Sequence, residues 1–413
     1  MDNYDLVIVG GGIGGSALAA VMARAGRSVL VLERSEVFED VVRGEWIAPW
    51  GVTEVRRVGL LDLLTAAGGH HITHHVTYDE HVEPAQAEAA TLPLGLFAPD
   101  VPGPLAIGHP HHCQTLFDEA ARCGATVVRG VDVQSVTLGA SPSVTYAVNG
   151  ETRQASARLV VGADGRNSIV RDAAGIVLHA DKPHHMFGGM LVSGVAGDDR
   201  KQTIGVEGDF NFLTFPQGSG MVRVYGSYSL DDRGRFAGPD GARRFLDSFR
   251  MACCPENELL VAGEPAGPLR SYTNNDAWTD EPFAEGAVLI GDAAGWNDPI
   301  VGQGLSITYR DVRIVSELLL GAEVWPPALF APYAEERAER MRRLRFAAAL
   351  AAAIDAEFGD AASARRRSYH ERAAADPSLR SHLIATLAGP EAMPAEAFTP
   401  AHRERVLGLN PVS

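Results

Sequence analysis

A short apolar run, Leu6-Val7-Ile8-Val9, flows directly into Gly10-x-Gly12-x-x-Gly15. No other stretch of the chain restricts its fold so tightly. Tyr4 to Val9 reads as a buried strand, Ser16 to Ala25 as a helix stopped by Gly26, and Ser28 to Leu32 as a second buried strand. These three pieces make a βαβ unit. In such a turn Gly10 allows the sharp change of direction, Gly12 lets bare backbone approach a pyrophosphate, and Gly15 permits close helix-to-strand packing. Amides of the opening helix, around Ile13 and Gly14, then face the phosphates. Glu33 ends the second strand, where a carboxylate accepts hydrogen bonds from both ribose hydroxyls, and Arg34 follows it. The unit predicts a dinucleotide with an unphosphorylated ribose, FAD or NAD.

Two later motifs narrow that choice. Gly162-Ala163-Asp164-Gly165-Arg166-Asn167-Ser168, with Arg171 beyond, follows the short apolar run Leu159-Val160-Val161. Gly291-Asp292-Ala293-Ala294-Gly295 follows Ala287 to Ile290, with Pro299 and Gly302-Gln303-Gly304 further on. Both place a carboxylate just past a buried strand, where ligands bind in open α/β sheets. Asp292 suits a sugar-alcohol hydroxyl. Gly302 to Gly304 offers bare amides at the start of a helix read from Leu305 to Leu320, a partial positive charge suited to an anionic reduced flavin ring.

The three motifs in this order resemble the single-component flavoprotein aromatic hydroxylases, the p-hydroxybenzoate hydroxylase type, over roughly residues 4 to 340. The resemblance implies an α/β fold: a Rossmann-like FAD-binding domain of the glutathione-reductase type, an inserted antiparallel-sheet substrate domain and a helical C-terminal tail. It implies FAD as cofactor, with NADH or NADPH as transient electron donor, and hydroxylation through a flavin C4a-hydroperoxide. By the same resemblance the first motif holds the ADP part, Asp164 belongs to the motif tied to FAD and NAD(P)H use, and Asp292 meets the ribityl and pyrophosphate. Arg43 matches an arginine near the FAD phosphates. Gly291, Gly302, Gly304 and Leu305 complete the candidate cofactor set. The chain departs from the family in having Gly295-Trp296 where His is usual, Ser306 where Asn is common, and His109 in place of an Arg or Gln.

Residues 1–74, 101–180 and 270–340 are assigned to the FAD-binding domain, and 75–100 with 181–269 to the substrate sheet. The segment 341–413 is assigned to the helical tail. The middle region alternates in short runs such as Met221-Val222-Arg223-Val224-Tyr225. His185, Phe210, Phe212, Phe215, Tyr225, Trp296, Asn297 and Asp298 are its candidate substrate-wall residues, and no catalytic base is assigned. The expected substrate is an aromatic or polyketide-like small molecule, with O2 as co-substrate.

Other function classes are disfavoured. Lys plus Arg is 36 against 52 for Asp plus Glu, a net charge of −16, which argues against general binding to nucleic acid or anionic membrane. The clustered His70, His71, His74 and His75 include an i, i+4 pair, but Ile72, Thr73 and Val76 to Tyr78 favour strand over a metal-binding helix. No metal site is assigned. A related halogenase needs a lysine early in the chain, and none precedes Lys182, although Gly44-Glu45 resembles the halogenase Gly-Glu pair; a halogenase, an alkene-reducing relative and a flavin-binding redox module without turnover remain as alternatives. Four cysteines without C-x-x-C spacing suggest a reducing cytoplasm. The N-terminus lacks a basic region and cleavage site, and no apolar stretch reaches the roughly 18 residues of a membrane span, so a soluble, unprocessed cytoplasmic protein is expected. Ala347 to Ala353 can pack on the FAD domain or make a dimer, leaving monomer and homodimer open.

Overall fold

Residues 2–409 are described by a computed structural model. The first strand, Asp2–Val9, pairs in parallel with Val29–Leu32 on one side and with Glu151–Gly162 on the other. Thr126–Val128 and Ala287–Leu289 extend this parallel set at either end. Its order puts the first strand at the centre, so both faces must be covered. That explains the unbroken apolar run. Leu6 and Ile8 pack under the helices Ile13–Arg24, His109–Arg122 and Gly304–Leu320, while Val7 and Val9 face the antiparallel strands Asp132–Thr137 and Ser143–Val148.

A second eight-stranded sheet runs Glu264–Pro265, His185–Ser193, Met221–Tyr228, Phe210–Gly218, Lys201–Glu207, His74–Asp79, Leu92–Pro93, with Arg270–Asn274 also pairing on His185–Ser193. Its neighbours are antiparallel except Lys201–Glu207 with His74–Asp79, which run parallel. Such a pair needs a long crossover, and the more than one hundred residues between these strands supply it. The outer face is sealed by the helices Gly241–Asp247 and Asn257–Val261 over a cluster of Phe210, Phe212, Phe236, Phe245 and Phe249. The inner face turns toward the first sheet.

Three local differences from the sequence reading have simple causes. The sequence from Gly51 to about Ala67 reads as one helix, but the structure has two, Pro49–Arg57 and Leu61–Ala66, split at Gly59, whose φ is +71°. The histidine cluster divides between sheets: His70–His71 joins a three-stranded sheet with Trp46–Ile47 and Leu105–Ala106, whereas His74 and His75 begin a strand of the large sheet. The helix Ala331–Asp355 passes residue 340 without a break, burying Tyr333, Arg337, Met341 and Leu344 along one continuous element. No described helix is long and apolar enough to cross a membrane.

Candidate active site

The Gly-rich turn leads from the first strand into the helix Ile13–Arg24, whose first turn carries neither a side-chain cap nor an acid. Its opening N–H groups and the positive end of its dipole are therefore left for an anion. The glycines divide the work. Gly10 has φ +99°, and a Cβ on it would stand 2.4 Å from the Ala163 carbonyl. A Cβ on Gly15 would meet the Gly10 carbonyl at 1.9 Å, whereas one on Gly12 would meet nothing within 4 Å. Gly12 thus borders open space and Gly15 a packing contact. Glu33 is tied into the same turn: Oε2 accepts from the Gly11 N–H and Oε1 from the Ser35 N–H, each at 2.7 Å. Arg34 beside it is exposed.

The two strand-end motifs meet across the sheet. Arg166 Nε donates to Asp292 Oδ2 at 3.3 Å, and the same guanidinium lies 4.8 Å from the Trp296 ring centroid. Arg171 bridges the loops, donating to the carbonyls of Ala293 at 3.1 Å and Arg166 at 2.9 Å. Asp164 turns instead toward its own helix, Oδ2 accepting from the Ile169 N–H at 2.8 Å. Burial raises its carboxyl above the ordinary range. The helix Gly304–Leu320 also begins without a side-chain cap or an acid in its first turn, and a Cβ on Gly304 would meet nothing within 4 Å. Gly302, at φ +64°, takes the left-handed turn just before it.

Between these loops and the inner face of the large sheet lies a cavity of about 300 Å³. Ile13, Gly14, Ala163, Gly165, Arg166, Gly291, Asp292, Gly302, Gly304 and Leu305 line one side; Trp46, Phe187, Leu213, Phe215 and Tyr225 line the other. Arg43, stacked 4.4 Å from the Tyr272 ring centroid, and Trp296 with Asn297 complete the wall. Phe187 and Tyr225 stack at 5.0 Å, and Phe215 meets Tyr225 edge-on at 6.1 Å. Trp46 is pinned by its indole N–H, which donates to Gln202 Oε1 at 2.9 Å.

Four expected wall residues sit elsewhere. Phe212 belongs to the outer face, where its ring meets Phe249 at 6.2 Å, because strand alternation sends it opposite to Leu213 and Phe215. Phe210 points the same way. His185 and Asp298 are fully buried behind the wall, Nε2 to Oδ1 at 3.6 Å, and Asp298 caps the Ile300 N–H at 3.0 Å. Burial depresses the His185 ring below the ordinary histidine range, with Asp298 pulling it back up. Behind Asn297, Asp276 Oδ1 accepts from both Asn297 Nδ2, at 2.6 Å, and the Asp298 N–H, at 2.8 Å. Burial pushes that carboxyl up to about 7.

The sequence reading missed Glu45, Trp46, His109 and Phe187, all in the wall, and Arg223 and Asp40 behind it. Gly44-Glu45 and the inward parity of Arg223 with Tyr225 were the available signals. Val42, also in the wall, holds φ +55°, a left-handed backbone costly for a β-branched residue. Asp40 Oδ1 supports it by accepting the Val42 N–H at 2.8 Å.

Uncapped helix starts facing open glycine backbone, with an acid at each strand end, fit an extended dinucleotide whose ring system reaches the cavity. Mouse (Mus musculus) squalene monooxygenase is 26% identical over 322 residues, 76% of this chain and 54% of that protein. The chain thus spans about half of that relative's length. The menaquinone reductase of Mycolicibacterium smegmatis is 26% identical over 351 residues, 80% of this chain and 81% of that protein. Among solved structures, p-nitrophenol 4-monooxygenase from Pseudomonas putida superposes with a TM-score of 0.79 at 18% identity, covering 94% of this chain and 99% of that one. The profile described as "FAD binding domain" matches residues 3–347, so the chain belongs to that family and its cofactor is FAD.

Proposed function

We propose that this protein is an FAD-dependent monooxygenase that draws electrons from NADH or NADPH and inserts one atom of O2 into an aromatic or polyketide-like small molecule. The observation that carries this reading is the two-sided cavity, with dinucleotide loops on one wall and a rigid aromatic wall opposite. Gly10, Gly12, Gly14, Gly15, Glu33 and Asp292 are assigned to the FAD, with the Ile13 and Gly304 amides at its charged parts and Arg43 and Arg166 at the rim. Bound there, the flavin supplies the reduction of oxygen and its transfer. Tyr225, Phe187, Phe215 and Trp46 hold a flat substrate by ring contact and exclude water, which matters because reactive oxygen intermediates are lost to solvent.

Halogenation finds no support in the cavity. Lys182 is exposed, and Lys201 is engaged by Glu88 and Glu256 at another surface. The likeness to a menaquinone reductase favours reduction of an unsaturated substrate as the second reading. Anaerobic bleaching of the purified holoenzyme by NADH and by NADPH, with and without a panel of phenols, tests the proposal. Bleaching accelerated by a panel member is the expected outcome. Reduction only by a separate reductase, with no response to any phenol, would overturn it.

A further inference from the structure

A second cavity, of about 280 Å³, lies on the outer face of the large sheet, back to back with the one that faces the dinucleotide loops. Strand alternation separates them: Leu213 and Phe215 line the inner cavity, Thr214 and Pro216 the outer one. Val195, Met221, Val222 and Leu260 give the outer cavity apolar walls, and Lys201, Thr203, Glu256 and Asn257 bring polar groups into the same space. Lys201 Nζ is held by Glu256 and, at 3.3 Å, by Glu88; Asp198 is matched by Arg200 at 3.1 Å, and Asp199 adds a further acid. Two cations thus face four carboxylates, so the space repels an anion. Its unspent groups are donors. Asn257 is 4% exposed, and its Nδ2 has no hydrogen-bond partner. Thr203 Oγ1 and Thr214 Oγ1 lie 2.6 Å apart, and Thr214 Oγ1 also accepts the Thr203 N–H at 3.2 Å. Whichever hydroxyl donates to the other, the second keeps its own proton. A buried amide N–H without an acceptor is costly, and an acceptor on a ligand removes that cost.

We propose that this outer cavity is a second binding site, for a small uncharged molecule with an apolar body and a carbonyl oxygen. The proposal goes beyond the monooxygenase reading and does not depend on it. The carbonyl accepts from Asn257 Nδ2, and the spare threonine proton serves its second lone pair or a second oxygen. The body packs on Val195, Met221, Val222 and Leu260. Charge is excluded from both sides: an anion meets the carboxylates, and a cation finds Glu256 already taken by Lys201 and N–H groups pointing at it. Ligand cavities start at roughly 300 Å³, so the volume limits the occupant to the size of a bicyclic aromatic. Thr214 stands between Leu213 and Phe215 in one strand, so such a ligand touches the strand that forms the inner aromatic wall.

The test titrates the FAD-loaded protein with propionyl-dimethylaminonaphthalene, an uncharged naphthyl ketone whose emission shifts to the blue when it leaves water. Wild type should give a saturable blue shift that acetylnaphthalene reverses and the naphthoate ion does not. Asn257→Leu removes the donor at similar volume, and the dissociation constant should rise roughly tenfold, as for one lost hydrogen bond to a buried group. Leu259→Asp, at a wall position that is 46% exposed, should also weaken binding and decides alone if Asn257→Leu does not fold. Melting temperature and flavin spectrum verify each variant. Phe215→Leu, in the inner cavity, should bind the dye as wild type does. No saturable shift in wild type, or equal displacement by naphthoate or by plain naphthalene, would overturn the proposal. Wild-type affinity in folded Asn257→Leu or Leu259→Asp would do the same. Affinity that follows Phe215 puts the dye in the inner cavity and would overturn it too.

Discussion

Arg337 and Asp311 form an ion pair in the core, Nε to Oδ2 at 3.2 Å, and neither is more than 2% exposed. Asp311 Oδ2 also accepts from the Gly291 N–H at 2.9 Å. Arg337 donates to the carbonyls of Ala294 at 2.8 Å, Gly291 at 3.2 Å and Gly295 at 3.0 Å. One arginine, from a helix beyond the βαβ part, therefore shapes the loop that carries Asp292. Replacing it removes one of the two arginines on Asp311, with Arg340 remaining at 2.8 Å, and strands several buried carbonyls, which costs about 1–3 kcal/mol. Arg337→Ala should show a loss of that size in chemical denaturation, and a lower flavin-to-protein ratio by absorbance. Wild-type stability would refute the role.

The glycines of the first turn separate folding from binding. Gly12→Ala adds a methyl group where nothing stands within 4 Å, at an ordinary φ of −69°, so the protein should fold and melt as wild type while holding FAD more weakly. Gly15→Ala forces a Cβ to 1.9 Å from the Gly10 carbonyl and should yield little folded protein. Circular dichroism and flavin fluorescence measured on both variants check the contrast.

Asp292 is about a third exposed at the cavity rim and is held by Arg166. Asp292→Ala should purify with much less flavin but unchanged secondary structure. Arg166→Ala should reproduce part of the loss, because Asp292 then loses its partner. Full flavin occupancy in Asp292→Ala would remove this residue from the cofactor site.

Acid should weaken the tail. His382 is fully buried between Tyr369 and His402, and burial lowers it from the ordinary 6.5 to about 3. Below about pH 6.5 the unfolded chain takes up a proton that the folded chain refuses. Its contribution to stability is complete above 6.5 and is lost as pH falls toward 3, at no more than about 1.4 kcal/mol per pH unit. His382→Phe should keep the packing and flatten that dependence in denaturation measured across the window. An unchanged slope would contradict the assignment.

The βαβ unit was legible because local physics dictates it: an apolar run buried on both faces, glycines that cannot carry a Cβ, and an acid at a strand end. Phe212 shows where such reading stops. Strand alternation puts Phe210 and Phe212 on the face opposite Leu213 and Phe215, so the three phenylalanines expected on one wall cannot share it, and the packed helix Gly241–Asp247 decides which face is the outside. Glu45 and Tyr225 stand 180 positions apart and meet only once the second sheet docks. Asp164 was expected at the cofactor and also closes the turn before Ile169, a job set by its own neighbours. Arg337 carried no motif, since its partners are mostly backbone carbonyls.

The central claim is that oxygen from O2 enters a substrate held against Tyr225 and Phe187. Turnover under isotopically labelled O2, followed by mass spectrometry of the product, tests it most directly. The account predicts one labelled oxygen atom per product molecule. A product that gains hydrogen and carries no labelled oxygen would contradict it and establish a reductase.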